Sequence, residues 1–216
     1  FSADNPDVAV RVDGPGTSDG FELFCDGQTD ISDASRAIDE EEVAACEAAG
    51  IEFVELKIGI DGLTVITNPA NDAVECLSFE QLYGLVGPES EGFDNWSAAN
   101  TLVTEIGGEG DLPDAQLDIT APGEESGTFD SFVEIVIEPV GEELGVEDAN
   151  VRPDYTASPN DNVIIEGIAA NPTSLGWVGF AFVEENLDTI KPLQVDGGAG
   201  CVEPTPETIA SGEFPI

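Results

Sequence analysis

Histidine and methionine are absent from this 216-residue chain, and Lys and Arg together number five against 46 Asp and Glu, a formal charge of −41. Without histidine there is no Ser-His-Asp triad, no imidazole zinc site and no histidine general base. So negative a surface repels phosphate backbones and anionic headgroups, which argues against nucleic-acid binding. No run approaches the ~20 apolar residues of a membrane span. A core is nevertheless available: Leu, Ile, Val and Phe make up 59 residues, about 27%, above the sub-20% level of disordered chains. The length allows one large or two small domains.

The acids are spread along the chain, apart from short runs such as Asp39-Glu40-Glu41-Glu42. Spread carboxylates with almost no lysine (Lys57 and Lys191) suit a protein working in molar salt. Carboxylates hold water and cations there, and salt screens a self-repulsion that would otherwise oppose folding. The alternative, a calcium-rich acidic protein, lacks any D-x-D-x-D-G loop. Charge here reports habitat more than function. The four cysteines, Cys25, Cys46, Cys76 and Cys201, form no C-x-x-C. An even count in an exported chain suits two disulfides, most simply Cys25–Cys46 and Cys76–Cys201. Three pairings are open, and four buried thiols are the alternative. The start at Phe1 without a charged-then-apolar leader, and the end at Pro215-Ile216, read as a piece of something longer.

Strand-like and helix-like stretches alternate. Apolar alternation over Val8–Val12 reads as a strand, followed by the turn Asp13–Gly16 and a helix-like Phe21–Cys25. Thr29–Ile31 reads as a short strand. Asp39 caps a helix that runs to about Ala49 and stops at Gly50. Ile51–Leu56 and Leu63–Thr67 are the next expected strands, then a helix over Phe79–Val86. A loop from Gly87 leads to a helix carrying Trp96 and ending near Ile106. Leu117–Thr120 is an expected strand before a helix at Phe129–Ile137, and a further helix covers Asn162–Ala169. Leu175–Phe182 reads as an apolar strand buried on both faces. Such alternation without internal repeats predicts an α/β fold. Trp96 and Trp177 are expected to be core or loop anchors.

Three segments share a strand, a tight Gly/Ser/Thr turn and a helix: Gly16–Gly20, Asp33–Arg36 and Glu125–Thr128. Small residues let backbone N–H groups approach a ligand, hydroxyls add donors, and a helix N-terminus contributes about half a positive charge. Arg36, one of three arginines, adds a forked donor in such a turn. Together these point to a tetrahedral-oxyanion site, although any one of them alone is an ordinary helix cap. Glu124 and Glu125 beside the third turn read as excluding loose anions or binding cations rather than as acid–base groups. Ser126 has no base partner that would make it a nucleophile.

These stretches are familiar as a set. Gly14-Pro-Gly-Thr-Ser-Asp-Gly-Phe21, Phe24-Cys25, Thr29-Asp-Ile-Ser-Asp-Ala-Ser-Arg36, Glu125-Ser-Gly-Thr128, Tyr155–Asn162, Leu175–Phe182 and Pro204–Thr208 resemble, in order, the substrate-binding protein of ABC phosphate importers, the PstS family. The acidic coloration resembles haloarchaeal members. The resemblance implies a type II periplasmic-binding-protein fold, two α/β domains closing on phosphate in a cleft. Residues 1–62 would form part of the first domain, completed by segments outside this chain. Residues 63–216 would form the second, ending near the crossover back to the first. By the same resemblance Thr17, Ser18, Ser35 and Arg36 match ligand-contacting positions of the first domain, and Ser126, Gly127 and Thr128 those of the second. Where some members carry an aspartate this chain has Ser35, and where they carry an arginine shortly before S-G-T it has Ala121-Pro122-Gly123. Arg36 is expected to supply that cation. Asp161 is the candidate carboxylate that accepts a phosphate O–H and so rejects sulfate, against a reading in which it only caps its helix.

The expectation is therefore a monomeric, exported and lipid-anchored phosphate receptor that delivers its ligand to a membrane ABC permease, with no metal, cofactor or covalent chemistry. Three rivals are kept. One is a receptor for sulfate, molybdate or arsenate; another is a phosphatase sharing the fold; the third is an acidic surface module that binds no small ligand.

Overall fold

The computed structural model describes residues 5–13 and 17–216. Two compact units divide it, Phe1–Ile58 and Gly59–Ile216, four residues before the 62/63 boundary expected from the resemblance.

Among its described residues unit 1 holds two helices, α1 (Thr17–Cys25) and α2 (Glu40–Ala49). The limits of α2 follow from its ends. The Asp39 side chain accepts from the Glu42 N–H while the Glu42 side chain accepts from the Asp39 N–H, and Gly50 closes the helix at φ 74°. This is a capping box at one end and a left-handed glycine at the other. A Cys25–Cys46 disulfide ties α1 to α2, with Phe24 edge-on to Phe53 at 6.3 Å between centroids. The strands expected at Val8–Val12, Thr29–Ile31 and Ile51–Leu56 do not form. Alternation is a property of side chains, but a strand needs a neighbour to accept its backbone hydrogen bonds, and no ladder occurs among the described residues of unit 1. Val12 and Ile58 are accordingly 81% and 94% exposed. The turn residues Gly14–Gly16 lie outside the described residues.

Unit 2 carries β1 (Leu63–Thr67), β2 (Cys76–Ser78), α3 (Phe79–Val86), α4 (Asn100–Glu105), β3 (Asp118–Ala121), α5 (Gly127–Phe132) and α6 (Glu138–Leu144). Then come β4 (Thr156–Ala157), α7 (Asp161–Ala170), β5 (Ser174–Gly179), α8 (Phe180–Glu185), β6 (Lys191–Pro192), β7 (Gln194–Asp196), β8 (Cys201–Val202) and α9 (Pro206–Ser211). A wider turn over Val133–Ile137 joins α5 to α6, just before Pro139. The main sheet runs β4-β3-β5-β1-β6, with β4, β3 and β5 parallel and β1 antiparallel to β5. A second sheet, β2-β7-β8, is closed across its outer strands by Cys76–Cys201. Both disulfides are the pairings preferred from the sequence.

The larger core lies on the Trp177 side of the main sheet, with Trp96 and Trp177 0% and 1% exposed and Trp177 stacked on Phe132 at 4.2 Å. A smaller cluster of Ile66, Ile164, Ile165, Ile168, Val178, Val183 and Ile190 fills the other side. That two-sided burial is why β5 reads as a continuous apolar run. The run outlasts the strand, however: at Gly179 the chain turns, and Phe180–Phe182 belong to α8 rather than to the expected strand.

Candidate functional site

In unit 1 the four candidates, eighteen residues apart in pairs, meet on one patch. The Thr17 and Ser35 hydroxyls share a hydrogen bond of 2.9 Å, and the Ser35 N–H donates to Thr17 Oγ1 at 3.3 Å. Arg36 Nη2 donates to Ser18 Oγ at 3.0 Å, and its guanidinium lies 5.2 Å from the centre of the Phe21 ring. Glu42 receives the fork of Arg36 at 2.9 and 2.8 Å, and the Arg36 hydrogen bond holds its carboxyl below the usual range. The patch thus combines hydroxyl donors with a cation whose plane is set by a bidentate pair.

In unit 2 the parallel strands bring three strand-to-helix turns to one edge of the sheet: β3 into α5, β4 into α7, and β5 into α8. In α/β sheets this carboxyl edge is where ligands bind. Ser126 caps α5, its Oγ accepting from the Thr128 N–H at 3.2 Å. The Ser126 N–H in turn donates to the Gly123 carbonyl at 3.0 Å. Ser158 N–H donates to the Ala121 carbonyl at 3.0 Å, which sets the start of α7 beside the end of β3. The α7 cap is Asn160, whose Oδ1 accepts from the Asn162 N–H at 3.0 Å. Asp161 is the first helical residue and does not supply the cap.

Two residues were missed. Tyr155 Oη donates to the Pro122 carbonyl at 2.6 Å and so fixes the loop that presents Ser126. Burial first, then Glu125 and Glu124, push its hydroxyl up to about 12, so it stays a donor. Glu42 was visible only as part of an acid run. The spacing Asp39-x-x-Glu42 does carry its capping role, but nothing local announces the pairing with Arg36. A separate cavity of about 560 Å³ in unit 2 is lined by Glu75, Glu80, Glu109, Asp111 and Asp196; its sign is wrong for an oxyanion.

The mixed α/β architecture, with its candidate donors on turns and helix starts, is that of the periplasmic-type ligand-binding proteins with the type II fold. The family model of the PBP superfamily domain matches residues 1–216, and the chain belongs to that superfamily. It is 35% identical over 99% of its length to "Protein SphX" of Synechocystis sp. (strain ATCC 27184 / PCC 6803 / Kazusa). It is 32% identical over all of its length to "Phosphate-binding protein PstS" of Staphylococcus saprophyticus. It spans 59% and 61% of those two relatives' own lengths. Among solved structures it is similar to "a possible phosphate binding protein" from Planctomyces limnophilus DSM 3776, with TM-score 0.84, 35% identity, all of this chain and 70% of that one covered. No helix among the described residues is long and apolar enough to cross a membrane.

Proposed function

We propose that this chain captures inorganic phosphate outside the cell, as part of a receptor that delivers it to an ABC importer. The donors are Thr17, Ser18, Ser35 and Arg36 in unit 1, and Ser126, Gly127 and Thr128 in unit 2. The observation that carries the reading is one patch on which Ser18 accepts from the Arg36 guanidinium while the neighbouring Ser35 bonds Thr17, in a chain with only five basic residues. The names of the similar proteins support phosphate over other oxyanions. Neutral donors and one paired arginine bind an anion despite the net charge of −41 because molar salt screens remote carboxylates, its Debye length being about 3 Å. Asp161 is the acceptor for the proton that phosphate carries and sulfate lacks. Export and a lipid anchor complete the reading.

Titration calorimetry of phosphate and then sulfate into the whole protein in molar KCl tests it. One-to-one phosphate binding is expected, with Arg36→Ala weakening it roughly 10- to 100-fold, the worth of a charge-assisted hydrogen bond. Asp161→Asn should narrow the preference for phosphate over sulfate. Heat with sulfate alone would move the ligand, and no heat with either would sink the receptor reading.

A further inference from the structure

Glu42 belongs to two systems at once. As the third residue of α2, its Oε2 accepts from the Asp39 N–H at 3.0 Å, while its own N–H donates to Asp39 Oδ1 at 2.8 Å. The same carboxylate takes both ends of the Arg36 fork. Arg36 Nη1 also donates to the Ala37 carbonyl at 3.1 Å, and Nη2 to Ser18 Oγ at 3.0 Å, with the guanidinium over the Phe21 ring. Ser18 and Phe21 stand on α1 and Glu42 on α2, and the Cys25–Cys46 disulfide joins those helices. The pair Glu42–Arg36 is therefore built into a cross-linked frame, whereas a second ion pair among the described residues of unit 1, Arg11–Asp13, is open to solvent.

The chemical consequence concerns Ser18. A hydroxyl whose oxygen accepts from an arginine N–H directs its proton elsewhere. Such a hydroxyl is a donor to an anion rather than a competing acceptor. An acid next to an anion-binding patch opposes binding by charge. Short-range orientation outweighs that repulsion when salt screens it, because a donor set already held in its bound geometry loses less entropy on binding. We infer that Glu42 is the positioning residue of the unit 1 oxyanion patch: it fixes the Arg36 guanidinium and, through it, turns the Ser18 hydroxyl into a donor. This rests on the phosphate reading above.

The two roles of Glu42 separate cleanly. Glu42→Gln keeps the helix cap, since glutamine serves at that position, and removes the charged fork. Asp39→Ala removes the cap and leaves the fork. In the whole protein in molar KCl, Glu42→Gln should weaken phosphate binding about ten-fold. It should also speed rotation of the Arg36 side chain about its Nε–Cζ bond, read by NMR without ligand, while the melting temperature falls less than in Asp39→Ala. Asp39→Ala should lower the melting temperature and leave phosphate affinity within two-fold. Binding by Glu42→Gln that equals or exceeds wild type would show a competing charge only and overturn the inference. So would an equal affinity loss in Asp39→Ala, or unchanged Arg36 rotation. A wild-type protein that binds sulfate but no phosphate overturns the ligand reading instead, while Arg36 rotation in Glu42→Gln still judges the positioning role.

Discussion

The two units hold their candidate residues by different means. In unit 2 they stand at the starts of helices that follow paired strands, over a core in which Trp96, Tyr83, Leu77 and Val65 are 0% exposed. In unit 1 they stand on α1 and a loop, tied to α2 by a disulfide and an arginine–carboxylate fork. Val10, Val12, Ile31, Val54 and Ile58 there face solvent. A packed sheet positions a turn through many weak contacts, none of which is indispensable. A sparsely packed unit must rely on a few specific links, so each carries more of the geometry.

The largest effect that would sharpen this contrast is Trp177→Ala. Removing a side chain 1% exposed and stacked on Phe132 should cost unit 2 about 4 kcal/mol, read as a drop in its urea midpoint. A loss near 1 kcal/mol would mean its core is no better packed than unit 1. Next, replacing Cys25 and Cys46 by serine opens a link of sequence separation 21, worth about 3 kcal/mol of loop entropy. Amide exchange in α1 and α2 should then rise roughly 100-fold. Unchanged protection would show that unit 1 does not depend on its cross-link.

The smallest effect compares, under acid, the Arg36–Glu42 pair of unit 1 with the Arg152–Asp154 pair of unit 2. The Arg152 hydrogen bond, against a smaller desolvation effect, holds Asp154 at about 2, and the Arg36 hydrogen bond likewise lowers Glu42. Both carboxyls are depressed in the folded state, so their stabilisation is full above the ordinary carboxylate range and is lost as pH falls through the folded value. For Asp154 the window is from about 4 down to about 2. Because Asp154 is partly exposed, this stabilisation is on the order of 1 kcal/mol at most. The stability gap between wild type and Asp154→Asn should be flat from pH 7 to 5 and close between pH 4 and 2. A gap that persists at pH 2 would show that the pair contributes through packing rather than charge.

Legibility followed range. The limits of α2, with Asp39 at one end and Gly50 at the other, were readable because a cap involves residues within four positions of each other. β1, α3 and the burial of both tryptophans were readable for the same kind of reason, since composition and period act locally. The alternation of Val8–Val12 and the apolar content of Ile51–Leu56 misled, because pairing depends on a neighbour the pattern does not name. Phe180–Phe182 misled because apolarity does not distinguish a strand from the helix that follows it.

The site divides along the same line. The hydroxyls and glycines of Thr17, Ser18, Ser35 and Ser126–Thr128, the single arginine among them and the absence of histidine are facts of composition. They are what the proposed oxyanion site rests on at the level of the sequence. That Arg36 is gripped by Glu42, that Asn160 rather than Asp161 caps α7, and that Tyr155 ties down Pro122 were decided only in three dimensions. Hydrogen-bond partners of long side chains are chosen by where the backbone turns, and that choice leaves no periodic trace in the chain.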